Sequence, residues 1–220
     1  MKIILTGFSG MVGEGILMEC LQNNHIEEVL MVNRKHIEFK NPKLKELVLP
    51  DFKEAKHHMD ALKGYDACFY CAGISALGLT EAVYHDITYD TTIEFASALK
   101  EINANIIFNF VSGAYTDSTE KGKAMWARVK GKTENALLQL FPGKQYNFRP
   151  GLMKPMKGQK NFKGYNKWLP FLYPIFAVFM PACTIQDIAR AMIHATENGH
   201  EKSILEVADI KKLSKNLDQS

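Results

Sequence analysis

The chain has 220 residues, of which 46% are hydrophobic and 23% charged, as in an ordinary globular protein. Its formal net charge of +3 is too small to indicate a nucleic-acid-binding protein, and its first apolar run, MKIILTG, is too short for a signal peptide or a membrane span. We therefore expect one cytoplasmic domain, residues 1–220, with a full hydrophobic core and no nucleic-acid partner.

Strand-like and helix-like segments alternate along most of the chain. The predicted strands are KIILT, EEVLMVN, LKELVLP, YDACFYCAG, ANIIFNFVSG, KQYNFRPG and KSILEVA. The predicted helices are MVGEGILMECLQNN, DFKEAKHHMDALKG, TEAVYHDITYDTTIEFASALKE, EKGKAMWARVKGKTENALLQLF and TIQDIARAMIHATENG. Capping-box spacing marks two helix starts, Asp51 with Glu54 and Thr184 with Asp187. This alternation predicts an α/β fold, a doubly wound parallel sheet (Rossmann fold) of about seven strands.

The four cysteines suit a reducing compartment. Cys68 and Cys71 form a C-x-x-C, but they lie on a predicted strand, where residues three apart point to opposite faces. We therefore expect both thiols to pack in the core and expect no metal site.

A glycine-rich turn follows the first strand. Gly7, Gly10 and Gly13 have the spacing G-x-x-G-x-x-G in TGFSGMVG. Small residues there allow a tight turn and close approach of the backbone to a pyrophosphate, at the N-terminus of the helix that follows. Because the pattern lies between a strand and a helix, it predicts a dinucleotide site rather than a purely structural turn.

The end of the second strand indicates which dinucleotide is preferred. An acidic residue there would bind the ribose 2′-hydroxyl of NAD, but the sequence has Asn33, Arg34 and Lys35. A guanidinium binds phosphate through two hydrogen bonds, so we predict NADP, with NAD as the alternative.

These motifs together resemble the short-chain dehydrogenase/reductase superfamily. They are TGFSGMVG, CAG at 71–73, VSG at 111–113, WARVKGKTE, and FRPG at 148–151. VKG-x-x-E and TYDTTIEFASAL are most similar to the atypical branch, which includes NmrA-like and Tat-interacting-protein-like members and epimerase/dehydratase relatives. The likeness covers residues 1–152 well.

The resemblance implies a role for each matching position. Ser112 matches the serine that hydrogen-bonds a substrate oxygen, and Lys130 matches the lysine that binds the nicotinamide ribose. The positions expected to contact the cofactor are Gly7, Phe8, Ser9, Gly10, Met11, Val12, Gly13, Asn33, Arg34, Lys35, Asp51, Phe52, Cys71, Ala72, Gly73, Val111, Lys130, Pro150, Gly151 and Leu152.

Trp126 departs from the family pattern, because it occupies the position of the catalytic tyrosine, four residues before Lys130. An indole has no ionisable proton and cannot be the general acid or base of carbonyl reduction. A proton would then come from water, from the substrate or from Tyr115, which follows Ser112 by three residues. The sequence thus predicts either an NADP-dependent oxidoreductase or epimerase-like enzyme, or a non-catalytic NADP(H)-binding redox sensor or regulator.

Regular alternation stops between residues 153 and 183, where the family has a small substrate lobe. The segment has five lysines, Lys154, Lys157, Lys160, Lys163 and Lys167, and then the run WLPFLYPIFAVFMPAC. It can form a pocket for an apolar small-molecule substrate with an anionic end, contact a membrane surface or a partner, or simply pack on the core. Its prolines and its length exclude a spanning helix.

Overall fold

The computed structural model describes residues 1–161 and 180–217. The strands are β1 (Lys2–Thr6), β2 (Glu28–Asn33), β3 (Leu44–Val48), β4 (Ala67–Tyr70), β5 (Ile107–Val111), β6 (Gln145–Arg149), β7 (Leu152–Lys154), β8 (Ala182–Thr184) and β9 (Ile204–Glu206). Seven of them form one parallel sheet in the order β3-β2-β1-β4-β5-β6-β9, while β7 pairs with β8 in a separate parallel pair. The predicted doubly wound α/β fold is therefore confirmed.

Helices cover both faces of the sheet. They are α1 (Met11–Gln22), α2 (Glu81–His85), α3 (Thr91–Ile102), α4 (Met125–Leu140), α5 (Ile185–Asn198) and α6 (Val207–Asn216). A 3-10 helix spans Phe52–Leu62, and a π-helical turn, Asp86–Asp90, joins α2 to α3. One buried cluster lies under α1, α5 and α6, and a second lies under the 3-10 helix, α3 and α4.

Successive strand residues contribute to opposite clusters, as expected for strands buried on both faces. In β1, Ile3 and Leu5 belong to the first cluster and Ile4 to the second. In the same way Cys68 packs in the second cluster and Cys71 against the first. The prediction that the two thiols point to opposite faces is confirmed, and no cluster of potential metal ligands occurs among residues 1–161 and 180–217.

Two predicted helices differ from the structure. DFKEAKHHMDALKG is a 3-10 helix with a kink at His58, and Asp51 accepts from the Lys53 amide instead of forming a capping box with Glu54. Only Phe52, Ala55 and Leu62 are buried there, which leaves little apolar surface to hold a regular α-helix. The helix predicted from EKGKAM begins only at Met125.

The late start of α4 has a local cause. The Asp117 carboxylate accepts hydrogen bonds from the backbone of Thr119 and of Gly122, at 3.0 and 2.6 Å, and thereby folds the preceding residues into a turn. Gly131 on α4 then packs against this turn, since a Cβ atom there would lie 1.8 Å from the Asp117 carbonyl oxygen.

The C-terminal part is more regular than the sequence predicted. β7 and β8 overlap the two ends of the segment predicted to be irregular, residues 153–183, and α6 follows the last strand. The capping box of Thr184 and Asp187 is confirmed, and Gly199 ends α5 with a positive φ of 69°.

The predictions for Lys163, Lys167 and residues 168–179 of the apolar run lie outside the described residues. In the described part of the chain, no helix combines the length and the apolarity that crossing a bilayer requires.

Candidate functional site

The glycine turn after β1 packs against the loop after β4. Gly7 has a φ of +76°, and a Cβ atom there would lie 2.5 Å from the Cys71 carbonyl carbon and 2.6 Å from the Ala72 nitrogen. At Gly13 a Cβ atom would lie 2.2 Å from the Gly7 oxygen. The Thr6 hydroxyl oxygen accepts hydrogen bonds from the Cys71 and Ala72 amides, each at 3.1 Å. The turn is therefore tight and fixed, with no room for side chains at two of its three glycines.

Helix α1 begins at this turn. Gly10 is its N-cap, and the Glu14 amide makes the first bond of the helix ladder, to the Gly10 oxygen at 3.0 Å. The amides of Met11, Val12 and Gly13 therefore point out of the helix start without an intrahelical acceptor. Phe8 is buried beneath the turn, whereas Ser9 and Gly10 are exposed above it.

Residues 156–161 lie over the same helix start. The Glu14 carboxylate accepts from the amides of Lys160 and Asn161, the shortest contacts being 2.8 and 2.7 Å. The Asn161 side-chain amide donates to the Phe8 oxygen at 3.0 Å, and that of Gln159 to the Met11 oxygen at 2.6 Å. The glycine turn is therefore held from outside as well as from the sheet.

The positively charged residues predicted to select NADP lie at the end of β2. Asn33 is buried, while Arg34 and Lys35 are exposed and make no hydrogen bond or ion pair with any residue that the structure describes. Asn33 donates through its side-chain amide to Glu46 of β3 at 3.0 Å. An acidic side chain near this strand end was not expected from the sequence.

Asp51 and Phe52 follow β3. The Asp51 side chain is exposed and caps the 3-10 helix, whereas the Phe52 ring is buried against Tyr70 and Phe95. Phe52 can therefore contact a bound molecule only through its backbone. After β4, Cys71 and Ala72 are partly buried beside the glycine turn and Gly73 is exposed.

Ser112 follows β5 and is buried. Its hydroxyl lies 3.0 Å from the hydroxyl of Thr116, which itself donates to the Gly113 carbonyl oxygen at 2.8 Å. Because a hydroxyl has one hydrogen, Ser112 is the donor to Thr116 and retains its acceptor lone pairs. Ser112 must release Thr116 before it can donate to a substrate oxygen.

Lys130 lies on α4 beside the end of β5. Its ammonium donates to the Val111 carbonyl oxygen at 3.3 Å and lies 5.4 Å from the centre of the Phe110 ring. Burial lowers the pKa of Lys130 to about 8, although the Glu134 carboxylate one turn along the helix acts in the opposite direction. Glu134 is fully buried and is bound by the Arg149 guanidinium.

Trp126 and Lys130 line one cleft of about 520 Å³. The Trp126 ring also faces the loop after β5, because a Cβ atom on Gly113 would lie 3.9 Å from it. The other residues that line this cleft are Ile74, Ser75, Ala76, Leu77, Tyr84 and Met125. The indole thus lies beside the lysine and next to the Ser112 loop, where the family pattern has a phenol.

The remaining predicted residues border this region. Tyr115 is 69% exposed, has a φ of +67° and is not among the residues that line the cleft. The Pro150 oxygen accepts from the Ala114 amide at 2.8 Å, so the loop after β6 adjoins the Ser112 loop. Gly151 and Leu152 continue into β7, where the Leu152 amide donates to the Pro181 oxygen at 2.8 Å.

All these loops follow the carboxyl ends of parallel strands, so they share one edge of the sheet. The strand order reverses between β1 and β4, and the glycine turn meets the loop of residues 71–73 at that point. Open α/β sheets bind ligands at such a switch point. A dinucleotide that lies across this edge would fit the tight glycine turn, the free amides at the start of α1 and the cleft lined by Lys130.

Three elements of the site were not predicted from the sequence. Thr116 binds Ser112, Tyr84 lines the cleft from α2, and residues 74–77 line the same cleft. Of these, only residues 74–77 could have been predicted from the sequence, because a loop that follows the strand beside β1 is expected at the switch point.

The chain is similar to known proteins in sequence and in fold. The chain is 24% identical over 156 residues to protein HTATIP2 of Rattus norvegicus, a match covering 69% of this chain and 62% of that protein. The chain thus spans less than two thirds of that curated relative. No protein-family model matches the chain.

Two solved structures share the fold at low identity. A double mutant of the dTDP-glucose 4,6-dehydratase DesIV of Streptomyces venezuelae, with NAD and DAU bound, has a TM-score of 0.70 and 14% identity, covering 100% of this chain and 80% of that chain. The oxidoreductase ylbE of Lactococcus lactis has a TM-score of 0.66 and 16% identity, with 100% and 98% covered. The match to HTATIP2 agrees with the predicted resemblance to Tat-interacting-protein-like members, and the two solved structures share the predicted fold.

Proposed function

We propose that this chain binds a nicotinamide dinucleotide, preferably NADP(H), and acts as an oxidoreductase of the atypical short-chain dehydrogenase type. One observation carries the proposal. The Gly7 turn is packed against residues 71–72 at the sheet's switch point, and the Lys130 cleft opens along the same edge. DesIV, which has a similar fold, was solved with NAD bound.

Each group has a proposed task at this edge. The turn from Gly7 to Gly13 and the first amides of α1 bind the pyrophosphate. Arg34, with Lys35 and Asn33, binds the 2′-phosphate, and Lys130 binds the nicotinamide ribose. Ser112 orients the substrate oxygen, after exchanging its bond to Thr116 for one to the substrate.

The substrate has to suit the cleft. Its walls are mostly apolar, with Lys130 as the charged group, so we propose a small apolar molecule with a carbonyl or hydroxyl group. An anionic end of the substrate, predicted from the lysines between residues 154 and 167, stays a prediction, as do the cytoplasmic location and a membrane-surface role for that segment.

When bound, the dinucleotide would supply a hydride, and carbonyl reduction also requires a proton. The Trp126 indole cannot supply it. Among the groups that line the cleft, the Lys130 ammonium is the strongest acid, because burial lowers the pKa of Lys130 to about 8 and raises the pKa of the Tyr84 phenol. We therefore favour Lys130 over Tyr115 as the proton donor, since Tyr115 lies outside this cleft.

A second candidate function is a non-catalytic NADP(H)-binding sensor or regulator. Trp126 is the observation that favours it, because the indole fills space beside Lys130 without offering a titratable group. Under this proposal the dinucleotide would bind, and no carbonyl would be reduced.

Carbonyl reduction separates the two functions. We would assay a panel of apolar aldehydes and ketones with NADPH, using the parent, Trp126→Tyr, Lys130→Met and Tyr115→Phe. The enzyme proposal predicts turnover by the parent, loss in Lys130→Met and little change in Tyr115→Phe. Turnover only in Trp126→Tyr would identify a regulator derived from an enzyme. Loss in Tyr115→Phe with retention in Lys130→Met would assign the proton to Tyr115 instead.

A further inference from the structure

An acidic side chain lies near the end of β2, where the proposed preference for NADP calls for positive charge. Glu46 is in the middle of β3, opposite Met31 of β2, and its side chain reaches the end of β2, where Asn33 begins the loop with Arg34 and Lys35. Only 17% of the Glu46 side chain is exposed. A free carboxylate here would repel a 2′-phosphate, so the partners of Glu46 decide what it does.

The Glu46 carboxylate is occupied by the loop itself. One oxygen accepts from the Asn33 side-chain amide and from the Ile37 backbone amide, both at 3.0 Å. The other oxygen is bonded to Nδ1 of His36. Burial alone would raise the pKa of Glu46, but the bonds from Asn33, His36 and Ile37 lower the pKa below its usual value. Glu46 is therefore an anion that is already bound to its donors.

These three donors lie at both ends of a short stretch of chain. Asn33 ends β2, while His36 and Ile37 come just after the two basic residues. Glu46 therefore closes residues 33–37 into a loop and leaves Arg34 and Lys35 between the two attachment points. A loop that is fixed before binding loses less conformational entropy when a ligand arrives.

On the basis of the proposed function, we propose that Glu46 is a positioning residue for cofactor specificity. It holds residues 33–37 so that Arg34 and Lys35 present their charges to the 2′-phosphate of NADP(H). It does not itself contact the ribose.

The opposite role for Glu46 is that of the acidic residue which binds the ribose 2′-hydroxyl in NAD-specific proteins. A carboxylate has about four acceptor positions, and three are filled here, which leaves too few for a pair of ribose hydroxyls. The two roles predict changes of opposite sign. Removal of the carboxylate weakens binding of a 2′-phosphate if Glu46 positions the loop, and strengthens it if Glu46 repels the phosphate.

Two fragments of the cofactor isolate the 2′-phosphate. We would titrate the full chain calorimetrically with 2′,5′-ADP and with 5′-AMP, at one ionic strength, for the parent, Glu46→Ala and Glu46→Gln. Glu28→Ala is the matched control, because Glu28 is also a carboxylate that accepts hydrogen bonds, from Lys45 and Tyr65, but lies at the opposite end of β2. Amide hydrogen exchange of residues 33–37 reports on the loop without any ligand.

The proposal predicts that Glu46→Ala weakens 2′,5′-ADP binding about tenfold, the loss expected when charged hydrogen bonds that order a loop are removed. Binding of 5′-AMP should not change, exchange at residues 33–37 should accelerate, and Glu28→Ala should match the parent. Glu46→Gln keeps an acceptor for Asn33 and Ile37, so it should retain most of the preference. If Glu46→Ala does not fold, the affinity of Glu46→Gln for 2′,5′-ADP distinguishes the positioning role of Glu46 from the repelling role.

Tighter binding of 2′,5′-ADP by Glu46→Gln, or unchanged binding by Glu46→Ala, would overturn the proposal. Equal affinity of the parent for the two fragments would also overturn it, yet leave dinucleotide binding intact. If the parent bound neither fragment, the proposed function would fail together with this inference.

Discussion

Lys130 is held as a cation in a partly buried position, where its hydrogen-bond acceptor is the Val111 carbonyl and its neighbouring carboxylate, Glu134, is bound by Arg149. Burial lowers the pKa of Lys130 from 10.5 to about 8. At pH values between these two, the unfolded chain binds more protons than the folded chain. The free energy of unfolding should therefore rise with pH across this window. Below pH 8, the full destabilisation caused by burying the Lys130 charge should be present.

Replacing this lysine should separate stability from function. Lys130→Met keeps an apolar side chain of similar length and removes the buried charge, so we expect the free energy of unfolding at pH 7 to increase by about 1 kcal/mol. The gain should disappear above pH 10.5, where the lysine is neutral in both states. Urea unfolding of both proteins at several pH values measures this. A loss of stability at pH 7 would mean that the lysine is solvated in the folded chain.

Gly7 combines a positive φ with close packing, and another glycine separates the two effects. Gly64 has a φ of +84°, but a Cβ atom there would have no other atom within 4 Å. Gly64→Ala should therefore cost only the backbone strain of about 1–2 kcal/mol. Gly7→Ala should cost about 2–4 kcal/mol, because its methyl group also meets the backbone of residues 71–72. Chemical unfolding gives both values, and equal costs would show that the two loops can separate.

At the scale of elements, a buried ion pair holds α4 in its register on the sheet. Arg149 ends β6 and binds Glu134 of α4, Ser118 before that helix and Glu206 of β9. Glu134 is 0% exposed. Since Lys130 and Trp126 lie on the same helix, the pair also fixes where they stand relative to Ser112.

Breaking the pair should leave an uncompensated buried charge. Arg149→Met should destabilise the chain by about 3–5 kcal/mol, and adding Glu134→Leu should restore most of the loss. Arg128→Met is the control, because Arg128 pairs with the half-exposed Glu81, and it should cost no more than about 1 kcal/mol. If both single variants cost the same, or if the double variant is no more stable than Arg149→Met, the Glu134 carboxylate does not depend on Arg149.

The sequence predicted the long elements well for a physical reason. Apolar strands such as KIILT and EEVLMVN are buried on both faces, and their alternation with helices leaves few other arrangements. Short elements were missed because their pairing is decided by distant residues. β7 and β8 have three residues each and pair across the segment between them. The spacing of polar and apolar residues in the 3-10 helix indicates a helix, so an α-helix was predicted. That spacing does not reveal the kink at His58.

At the scale of the whole molecule, the sequence predicted the glycine turn, the basic strand end and the Trp126–Lys130 face because each is local in the chain. Tyr84, Thr116 and Glu46 were missed because their roles depend on partners that the topology supplies. Glu46 is thirteen residues from Asn33 in sequence and adjacent to it only because β2 and β3 pair. The hydrogen bond between the Ser112 and Thr116 hydroxyls likewise depends on the turn that brings Thr116 next to Ser112.

The measurement that tests the account most directly is a calorimetric titration of the full chain with NADPH and with NADH at one fixed ionic strength, repeated with Arg34→Ala. We predict binding of both, with NADPH tighter by about tenfold, and loss of that difference in Arg34→Ala, because a guanidinium bound to phosphate contributes about 1.5–3 kcal/mol. Binding of neither dinucleotide would contradict the account, since the glycine turn would then be a structural feature alone.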